Sequence, residues 1–319
     1  MYRIGVDLGG TNIAVGLVDG DYNIVVKKST PTKAERHPDE IAADIAMLCA
    51  KVCEEKGIEL AQIANIGVAT PGIADCDTGE VVYSCNLPFR KYPLAKKVAE
   101  KLGFDSSKVK LANDANAAAW GEAVAGAAKG SSNSVMITLG TGVGGGIIID
   151  NKIYTGFNYA GAELGHIVIE IDGAQCGCGR KGCWEAYSSA TALIRMTREK
   201  IEELRANGED SVMLKAERVS GRTACEAMRA GDKAGKEVYD KYVKYLAVGL
   251  ANIINIFQPE IISLGGGVSN EGQSLIDALL PLVRGEQYGN DLLDASKLTQ
   301  LRIAKLGNDA GIIGAAALA

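Results

Sequence analysis

Residues 4–18 read IGVDLGGTNIAVGLV, where an apolar strand turns at two glycines and continues as a second apolar strand. Residues 135–149, VMITLGTGVGGGIII, repeat that arrangement of strand, glycine turn and strand. Glycine has no Cβ, so the backbone N–H groups of such a turn can approach a phosphate closely. A plain glycine hairpin would give the same pattern at either place. The pair predicts an internal duplication in which each half carries one phosphate-binding turn.

Other residues near the turns are typical of nucleotide binding. Thr11 adds a hydroxyl donor, and Asp7 could hold a hydrated magnesium ion. A third glycine cluster, residues 265–267, follows the apolar strand 261–264, and a nucleoside could lie against its bare backbone. An ordinary strand-to-helix turn would have the same sequence. Residues 140–145 match the G-x-G-x-x-G dinucleotide fingerprint only loosely, because a strand and not a helix follows them.

Metal-ligand spacing is the most specific signal of the chain. His166 precedes the run CGCGRKGC, which supplies Cys176, Cys178 and Cys183. Three thiols and one imidazole complete a tetrahedral zinc shell, and four protein ligands leave no open position, so the predicted ion is structural. A disulfide or three buried thiols are the alternatives. The single residue between Cys176 and Cys178 strains a disulfide and suits a metal.

Composition excludes several classes of protein. The chain has 319 residues, 47% of them hydrophobic, which is enough for a large core divided between two domains. A net charge of −5 without a Lys/Arg block argues against nucleic-acid binding. The apolar runs are too short to span a bilayer, and the N-terminus reads as a strand. Eight cysteines without regular spacing outside the zinc run favour a reducing, cytoplasmic environment.

Hydrophobic periodicity predicts an α/β chain. Strands are expected near residues 2–8, 12–18, 23–29, 65–70, 108–112, 134–139 and 144–149. Helices are expected near residues 38–56, 94–102, 187–206, 233–257 and 310–318. We expect residues 1–113 with about 305–319 to form a small domain, and residues 114–304 to form a large domain that carries the zinc loop. The hinge is expected near Asn113 to Ala115.

The three glycine elements resemble the phosphate-1, phosphate-2 and adenosine elements of the superfamily of sugar kinases, actin and heat-shock chaperone ATPases. The stretch from Leu139 through Gly156 to His166, followed by C-x-C-G-x-x-G-C, is similar to the signature of the ROK family, and the resemblance covers essentially the whole chain. It implies a two-domain actin-like ATPase fold, which is ribonuclease-H-like. Each domain would have a mixed sheet with flanking helices, and the active site would lie in the interdomain cleft.

The catalytic candidate also follows from the residues. The chain has two histidines, of which His37 precedes a proline at a predicted helix start and His166 is assigned to the metal. A general base must then be a carboxylate or be absent. Asp114 lies in LANDANAAAW, where a strand ends and an Ala-rich helix begins. Asn113 or Asp114 could simply cap that helix, whose N-terminus also stabilises an ionised carboxylate.

The resemblance assigns roles to the remaining candidates. It implies that Asp114 is the base and that Asn113 hydrogen-bonds a sugar hydroxyl. Glu163, His166 and Glu185 match sugar-contacting positions, with one His166 nitrogen facing sugar and the other facing zinc. Without the resemblance, Glu185 reads as a first-turn glutamate of the following helix. With the role that the resemblance implies, Glu185→Ala is expected to raise the KM for glucose while the KM for ATP changes little. Gly72 is expected to edge the sugar pocket. The residues expected to bind ATP and Mg²⁺ are Asp7, Gly9, Gly10, Thr11, Asn12, Thr138, Gly140, Thr141, Gly142, Gly265, Gly266 and Gly267.

The expected activity is ATP-dependent phosphorylation of a hexose at its 6-hydroxyl, with glucose favoured, Mg²⁺ as cofactor and zinc as a structural ion. The alternatives are another sugar (fructose, mannose, allose or N-acetylmannosamine) and a non-catalytic sugar-sensing regulator. ROK repressors carry a helix-turn-helix before the first strand, and Met1 stands almost at that strand, so no DNA-reading domain is expected. The expected partners are hexose and ATP, without nucleic acid or membrane, and the expected assembly is a homodimer or homotetramer.

Overall fold

A computed structural model describes residues 1–318. Its strands are β1 Tyr2–Leu8, β2 Asn12–Val18, β3 Ile24–Pro31, β4 Ile63–Thr70, β5 Ile73–Asp75, β6 Glu80–Tyr83, β7 Arg90–Tyr92, β8 Val109–Asn113, β9 Ser134–Leu139, β10 Val143–Ile149, β11 Lys152–Ile153, β12 Ile261–Gly265 and β13 Gln300–Ile303. Its helices are α1 Pro38–Lys56, α2 Leu94–Leu102, α3 Asp114–Val124, α4 Glu185–Ser188, α5 Ala190–Asn207, α6 Thr223–Arg229, α7 Lys233–Phe257, α8 Gln273–Glu286 and α9 Ala310–Ala316.

Two five-stranded sheets share one topology. The first has the order β3-β2-β1-β4-β8, and the second has the order β11-β10-β9-β12-β13. In the first sheet, β1 and β2 are antiparallel, as are β2 and β3, while β1, β4 and β8 are parallel. In the second, β10 and β11 are antiparallel and β12 and β13 are parallel. The α/β class with mixed sheets is confirmed, and the repeated strand order agrees with the predicted duplication.

Helices cover both faces of the first sheet. The core beneath α1 and α2 joins apolar side chains of β1, β2 and β4 to helix positions such as Ile41, Ile45 and Val52. The other face packs on α9. A Cβ at Gly67 of β4 would collide with the Ala315 carbonyl of α9, so only glycine lets that helix lie directly on the strand. This close approach places α9 near the end of β1, where Asp7 stands.

The predicted helix over 187–206 is wrong at its start. Helix α4 ends at Ser188, and α5 begins at Ala190. The cause is Ser189, whose hydroxyl accepts the N–H of Ala192 at 3.1 Å and so caps α5. A small antiparallel sheet, β5-β6-β7, and the helix α8 are additional to the predicted elements.

The chain divides into two compact units. One contains Met1–Met136, Gly146–Ala162 and the chain from Lys305 onward, and the other contains Ile137–Gly145 and Glu163–Ala304. This grouping assigns α3 to the first unit because α3 packs closely on α9. The predicted boundary after Asn113 assigned α3 to the large domain, and that division stays a prediction. In the part of the chain described, the helices are too short or too polar to cross a membrane.

Candidate active site

Two carboxylates stand close together in the first unit. Asp7 lies in β1, and Asp114 is the first residue of α3. Burial, and then repulsion from Asp114, raise the pKa of Asp7 to about 6, while Lys27 opposes the shift. The Asp114 side chain is open to solvent, yet enough protein surrounds it for desolvation to raise its pKa. A pair of carboxylates that repel one another can take up a proton or hold a cation.

Asn113 caps the helix that carries Asp114. Its Oδ1 accepts the N–H groups of Ala115 at 2.9 Å and Asn116 at 3.2 Å, and its Nδ2 donates to the Gly72 carbonyl at 3.1 Å. The capping role that the sequence left open is therefore real. Desolvation raises the pKa of Asp114, and the Asn113 side chain opposes this rise as a hydrogen-bond partner of the carboxylate, so the second Nδ2 hydrogen lies on the side of that carboxylate. The bond to the Gly72 carbonyl brings Gly72 beside Asn113.

The first glycine turn is closed by backbone bonds. Gly9 N–H donates to the Asn12 carbonyl at 2.9 Å. The buried Thr32 hydroxyl donates to the Gly9 carbonyl at 2.6 Å, and Thr32 N–H donates to the Thr11 carbonyl at 2.8 Å. Gly10, Thr11 and Asn12 are exposed. The turn is thus rigid on one side and open on the other, and Thr32 is a supporting residue that the sequence pattern missed.

The second glycine turn lies in the other unit. Gly140 N–H donates to the Gly142 carbonyl at 3.0 Å, and Thr138 precedes the turn in β9. Glu185 Oε2 accepts the N–H of Val143 at 2.9 Å. A Cβ at Gly142 would meet that carboxylate, so any larger residue there would have to displace the Glu185 side chain. The structure therefore brings Glu185 to the predicted phosphate-binding turn.

The third glycine cluster lies beside the second turn. Gly265 ends β12, Gly266 lies against the backbone of Leu139, and Gly267 opens a short 3-10 helix. Ser269 Oγ donates to the Gly266 carbonyl at 2.7 Å. Locally this is the strand-to-helix turn that the sequence left as an alternative, and it is adjacent to β9 as a nucleotide site would require.

The zinc ligands predicted from sequence converge. The ligand atoms of His166, Cys176, Cys178 and Cys183 all lie within 4.8 Å of one another. The Cys178 and Cys183 sulfurs are 3.6 Å apart, and Cys176 Sγ is 3.7 Å from His166 Nδ1. Bond lengths of tetrahedral zinc separate two sulfurs by about 3.8 Å, and a sulfur and a nitrogen by about 3.6 Å. The site fits a structural zinc ion.

Three predicted sugar ligands surround this metal site. His166 directs Nδ1 to Cys176, while its Nε2 is 4.0 Å from Glu163 Oε2. Glu185 Oε1 lies 3.5 Å from Cys176 Sγ. The imidazole thus has one nitrogen on the metal side and one toward the Glu163 carboxylate, and its contact with sugar stays a prediction. The predicted residues therefore form two groups, one in each compact unit.

Comparisons with known proteins cover the whole chain. The ROK family model matches residues 3–319. Glucokinase of Streptomyces coelicolor is 38% identical over 99% of this chain and 96% of its own length, and glucokinase of Thermotoga maritima is 36% identical with the same coverage. The crystal structure of a Streptomyces griseus ROK glucokinase with glucose and AMPPNP matches with a TM-score of 0.79 at 35% identity, covering 100% of this chain and 99% of that one. The predicted actin-like ATPase fold is confirmed by this match.

Proposed function

The chain belongs to the ROK family, and we propose that it is an ATP-dependent hexokinase that phosphorylates glucose at the 6-hydroxyl. The observation that carries this proposal is the similarity to glucokinases over nearly the full length of both chains, including one whose structure contains glucose and an ATP analogue. This chemistry agrees with three features of the structure: the carboxylate at the start of α3, the glycine turns, and the two glutamates beside the metal site, Glu163 and Glu185. A purely regulatory role is not favoured, because the identity to the glucokinases is higher than that to a ROK family transcriptional regulator and extends over nearly the full length of both chains.

Asp114 is proposed to orient the sugar 6-hydroxyl and accept its proton. The oxygen then attacks the γ-phosphorus, the bond to the ADP oxygen breaks, and the products are glucose 6-phosphate, ADP and the proton on Asp114. Its raised pKa suits it to take up that proton. Because little covalent work falls to the protein in phosphoryl transfer, positioning and charge neutralisation supply most of the catalysis.

Phosphates are proposed to bind at the two glycine turns. The exposed residues Gly10, Thr11 and Asn12 offer backbone and side-chain donors in the first unit, and Thr141 and Gly142 offer N–H groups in the second. We propose that Asp7 holds hydrated Mg²⁺, because a cation would relieve its repulsion with Asp114. Mg²⁺ would neutralise charge on the transferred phosphoryl group. Residues 265–267 are proposed to receive the nucleoside.

We propose that the sugar is bound through hydroxyl groups at two ends of its ring. Asn113, next to the proposed base, is proposed to hydrogen-bond a sugar hydroxyl, and Gly72 lies beside it. Glu163, His166 and Glu185 are proposed to bind hydroxyls at the end away from the transferred phosphate. Each ionised acceptor is worth about 1.5–3 kcal/mol per hydrogen bond, so an analogue that lacks the hydroxyl is rejected. The zinc ion would fix the loop that carries these ligands without taking part in chemistry.

A coupled ADP-release assay with glucose, fructose, mannose, allose and N-acetylmannosamine tests the proposal. Glucose should give the highest kcat/KM. A higher kcat/KM for another sugar would assign the chain to a different kinase of the family. Absence of ADP release with every sugar would indicate a sugar sensor. We also propose a homodimer or homotetramer, which light scattering after size-exclusion chromatography would measure.

A further inference from the structure

The glycine turn at residues 140–142, here called the phosphate turn, is fastened to one neighbouring segment. That segment, residues 185–191, follows the zinc loop and is here called the brace. Two hydrogen bonds join the brace to the phosphate turn, from Ala190 N–H to the Gly140 carbonyl at 2.8 Å and from the Thr191 hydroxyl to the Thr141 carbonyl at 2.7 Å. A third runs from the N–H of Val143, the residue after the turn, to Glu185 Oε2 at 2.9 Å. All of these residues belong to the same compact unit.

These bonds fix the direction of the backbone in the phosphate turn. The carbonyls of Gly140 and Thr141 point toward the brace, because Ala190 and Thr191 donate to them. In a planar trans peptide, the N–H group points opposite to the carbonyl of the same unit. The N–H groups of Thr141 and Gly142 therefore point away from the brace. Neither donates a hydrogen bond to another described residue, so both are available to an anion.

Glu185 connects the phosphate turn to the sugar ligands. One carboxylate oxygen accepts the N–H of Val143, while the other lies 3.5 Å from Cys176 Sγ in the metal cluster. If sugar binding moves this carboxylate, the hydrogen bond to Val143 moves the backbone that follows the phosphate turn. If the turn moves, the same hydrogen bond moves the carboxylate. Gly142 packs directly against the same side chain, so no gap separates the backbone of the phosphate turn from the Glu185 carboxylate.

We propose that Thr191 and Glu185 are positioning residues for the phosphate turn, and that Glu185 thereby couples sugar binding to ATP binding; the coupling rests on the proposed function. Thr191 orients the N–H groups that receive phosphate without touching ATP. Glu185 serves two substrates through its two oxygens. This proposal and the expectation from sequence differ in their outcome, because the coupling predicts that Glu185→Ala also changes the affinity for ATP.

Substitutions at Thr191 test the first part. Thr191→Val keeps the shape but loses the hydroxyl, so the KM for ATP and the Kd for AMPPNP should rise by about three- to tenfold, the usual effect of one hydrogen bond. The KM for glucose should change less than about twofold, and Thr191→Ser should restore nucleotide affinity. Thr197→Val is the matched control, because it removes a hydroxyl that donates to the Leu193 carbonyl at 2.7 Å within the same helix. It should leave nucleotide affinity unchanged.

The outcomes separate this proposal from the proposed function. Unchanged AMPPNP affinity in Thr191→Val, or an equal loss in Thr197→Val, would overturn the role of Thr191. Calorimetry of AMPPNP binding requires no turnover, so this test holds even if glucose is not the substrate. Absence of AMPPNP binding by the unmodified protein would also overturn it.

The coupling is measured by titrating AMPPNP with and without saturating glucose. The ratio of the two dissociation constants should differ from one by about threefold or more in the unmodified protein, and it should approach one in Glu185→Ala. An equal ratio in both proteins, or a ratio of one in the unmodified protein, would overturn the coupling through Glu185. A protein that binds AMPPNP but not glucose would instead contradict the proposed function, with the Thr191 result still standing.

Discussion

Asn113 and Asp114 show how two adjacent side chains divide structural and chemical work. Asn113 uses its oxygen to cap α3 and part of its amide to hold Gly72. Asp114 stands at the helix start, where desolvation raises its pKa, while the Ala115 N–H that its Oδ1 accepts at 2.9 Å and the helix dipole favour the charged form. The balance leaves a carboxylate with a raised pKa at the position proposed for the base.

Replacing Asp114 by Asn should abolish most turnover while glucose still binds. An amide cannot accept the 6-hydroxyl proton, so kcat should fall by about 100-fold or more. Steady-state ADP release gives kcat, and calorimetry gives glucose affinity. A variant that retains more than half of the original kcat would show that Asp114 is only part of the helix start.

Asp7 should make stability depend on pH in an unusual direction. Its pKa is about 6 in the folded protein and 3.8 as the ordinary value, so the folded state binds more protons between these values. The free energy of unfolding therefore falls as pH rises from about 4 to 6, and above that range the ionised Asp7 destabilises the folded state by its full amount. Asp7→Asn removes this cost and should raise the free energy of unfolding at pH 7.5 by about 2–3 kcal/mol.

The gain from Asp7→Asn should shrink to less than about 1 kcal/mol at pH 4, where the aspartate is protonated in the folded state and partly protonated in the unfolded state. Denaturation by urea at the two pH values measures it. Asp19→Asn serves as the control, because hydrogen bonds from Asn23 lower the pKa of that exposed carboxyl, so its effect should have the opposite sign. An equal gain for Asp7→Asn at both pH values would contradict the explanation.

Among secondary-structure elements, α3 and the chain that leads into α9 are joined by one buried side chain. Glu122 is fully buried in α3 and accepts the N–H groups of Ala127 at 2.6 Å, Lys305 at 2.9 Å and Leu306 at 2.8 Å. Three backbone donors depend on this carboxylate. Glu122 thus ties the helix that begins with Asp114 to the segment before α9.

Glu122→Gln should destabilise the protein by about 2–4 kcal/mol. The amide group places N–H hydrogens against N–H donors and leaves buried groups unsatisfied. Urea denaturation measures the loss, and Glu202→Gln on the exposed face of α5 is the control, expected to change stability by less than about 0.5 kcal/mol. A loss for Glu122→Gln no larger than that of the control would remove the proposed role.

The zinc loop should bind one metal ion per chain. Metal analysis of the native protein is expected to find close to one zinc, and Cys178→Ser should lower both zinc content and glucose affinity, because the loop carries the predicted sugar ligands. Cys76→Ser, at an exposed cysteine outside the cluster, should change neither. Native protein with full kinase activity and no zinc would refute the assignment.

For the molecule as a whole, glucose binding should raise the free energy of unfolding. A ligand that binds only the folded state stabilises it by an amount set by concentration and Kd, about 2.7 kcal/mol at 100 times the Kd. Glucose should therefore raise Tm in calorimetry, and Asp114→Asn should retain that rise although it loses turnover. An Asp114→Asn variant that shows no rise would place Asp114 in sugar binding and not only in proton transfer.

The fold class and the metal ligands could be predicted because their signals are local. A strand, a glycine turn and a second strand lie within fifteen consecutive residues, and the repeat at residues 135–149 implies the second sheet. Three of the four metal ligands lie within eight residues, so chain geometry alone brings them together. The family resemblance added Glu163 and Glu185, whose roles the residues alone left open.

Helix boundaries and supporting residues were harder to predict. The break between α4 and α5 depends on one serine, Ser189, whose hydroxyl accepts the Ala192 N–H, and β5, β6 and β7 are too short to show a clear period. Thr32 lies just beyond the predicted strand 23–29 and carries no sequence signal, and only the folded chain brings its hydroxyl to the Gly9 carbonyl of the first glycine turn.

Sequence therefore established which residue types occur at which spacing, and the folded chain established which of them meet. Glu185 contacts Val143 across 42 positions, and Glu122 contacts Lys305 across 183. The raised pKa of Asp7 depends on burial and on Asp114, more than one hundred positions away along the chain. Hydrogen bonds and charge repulsion act over a few ångströms, so their partners are set by the packing of distant segments and are absent from any local pattern.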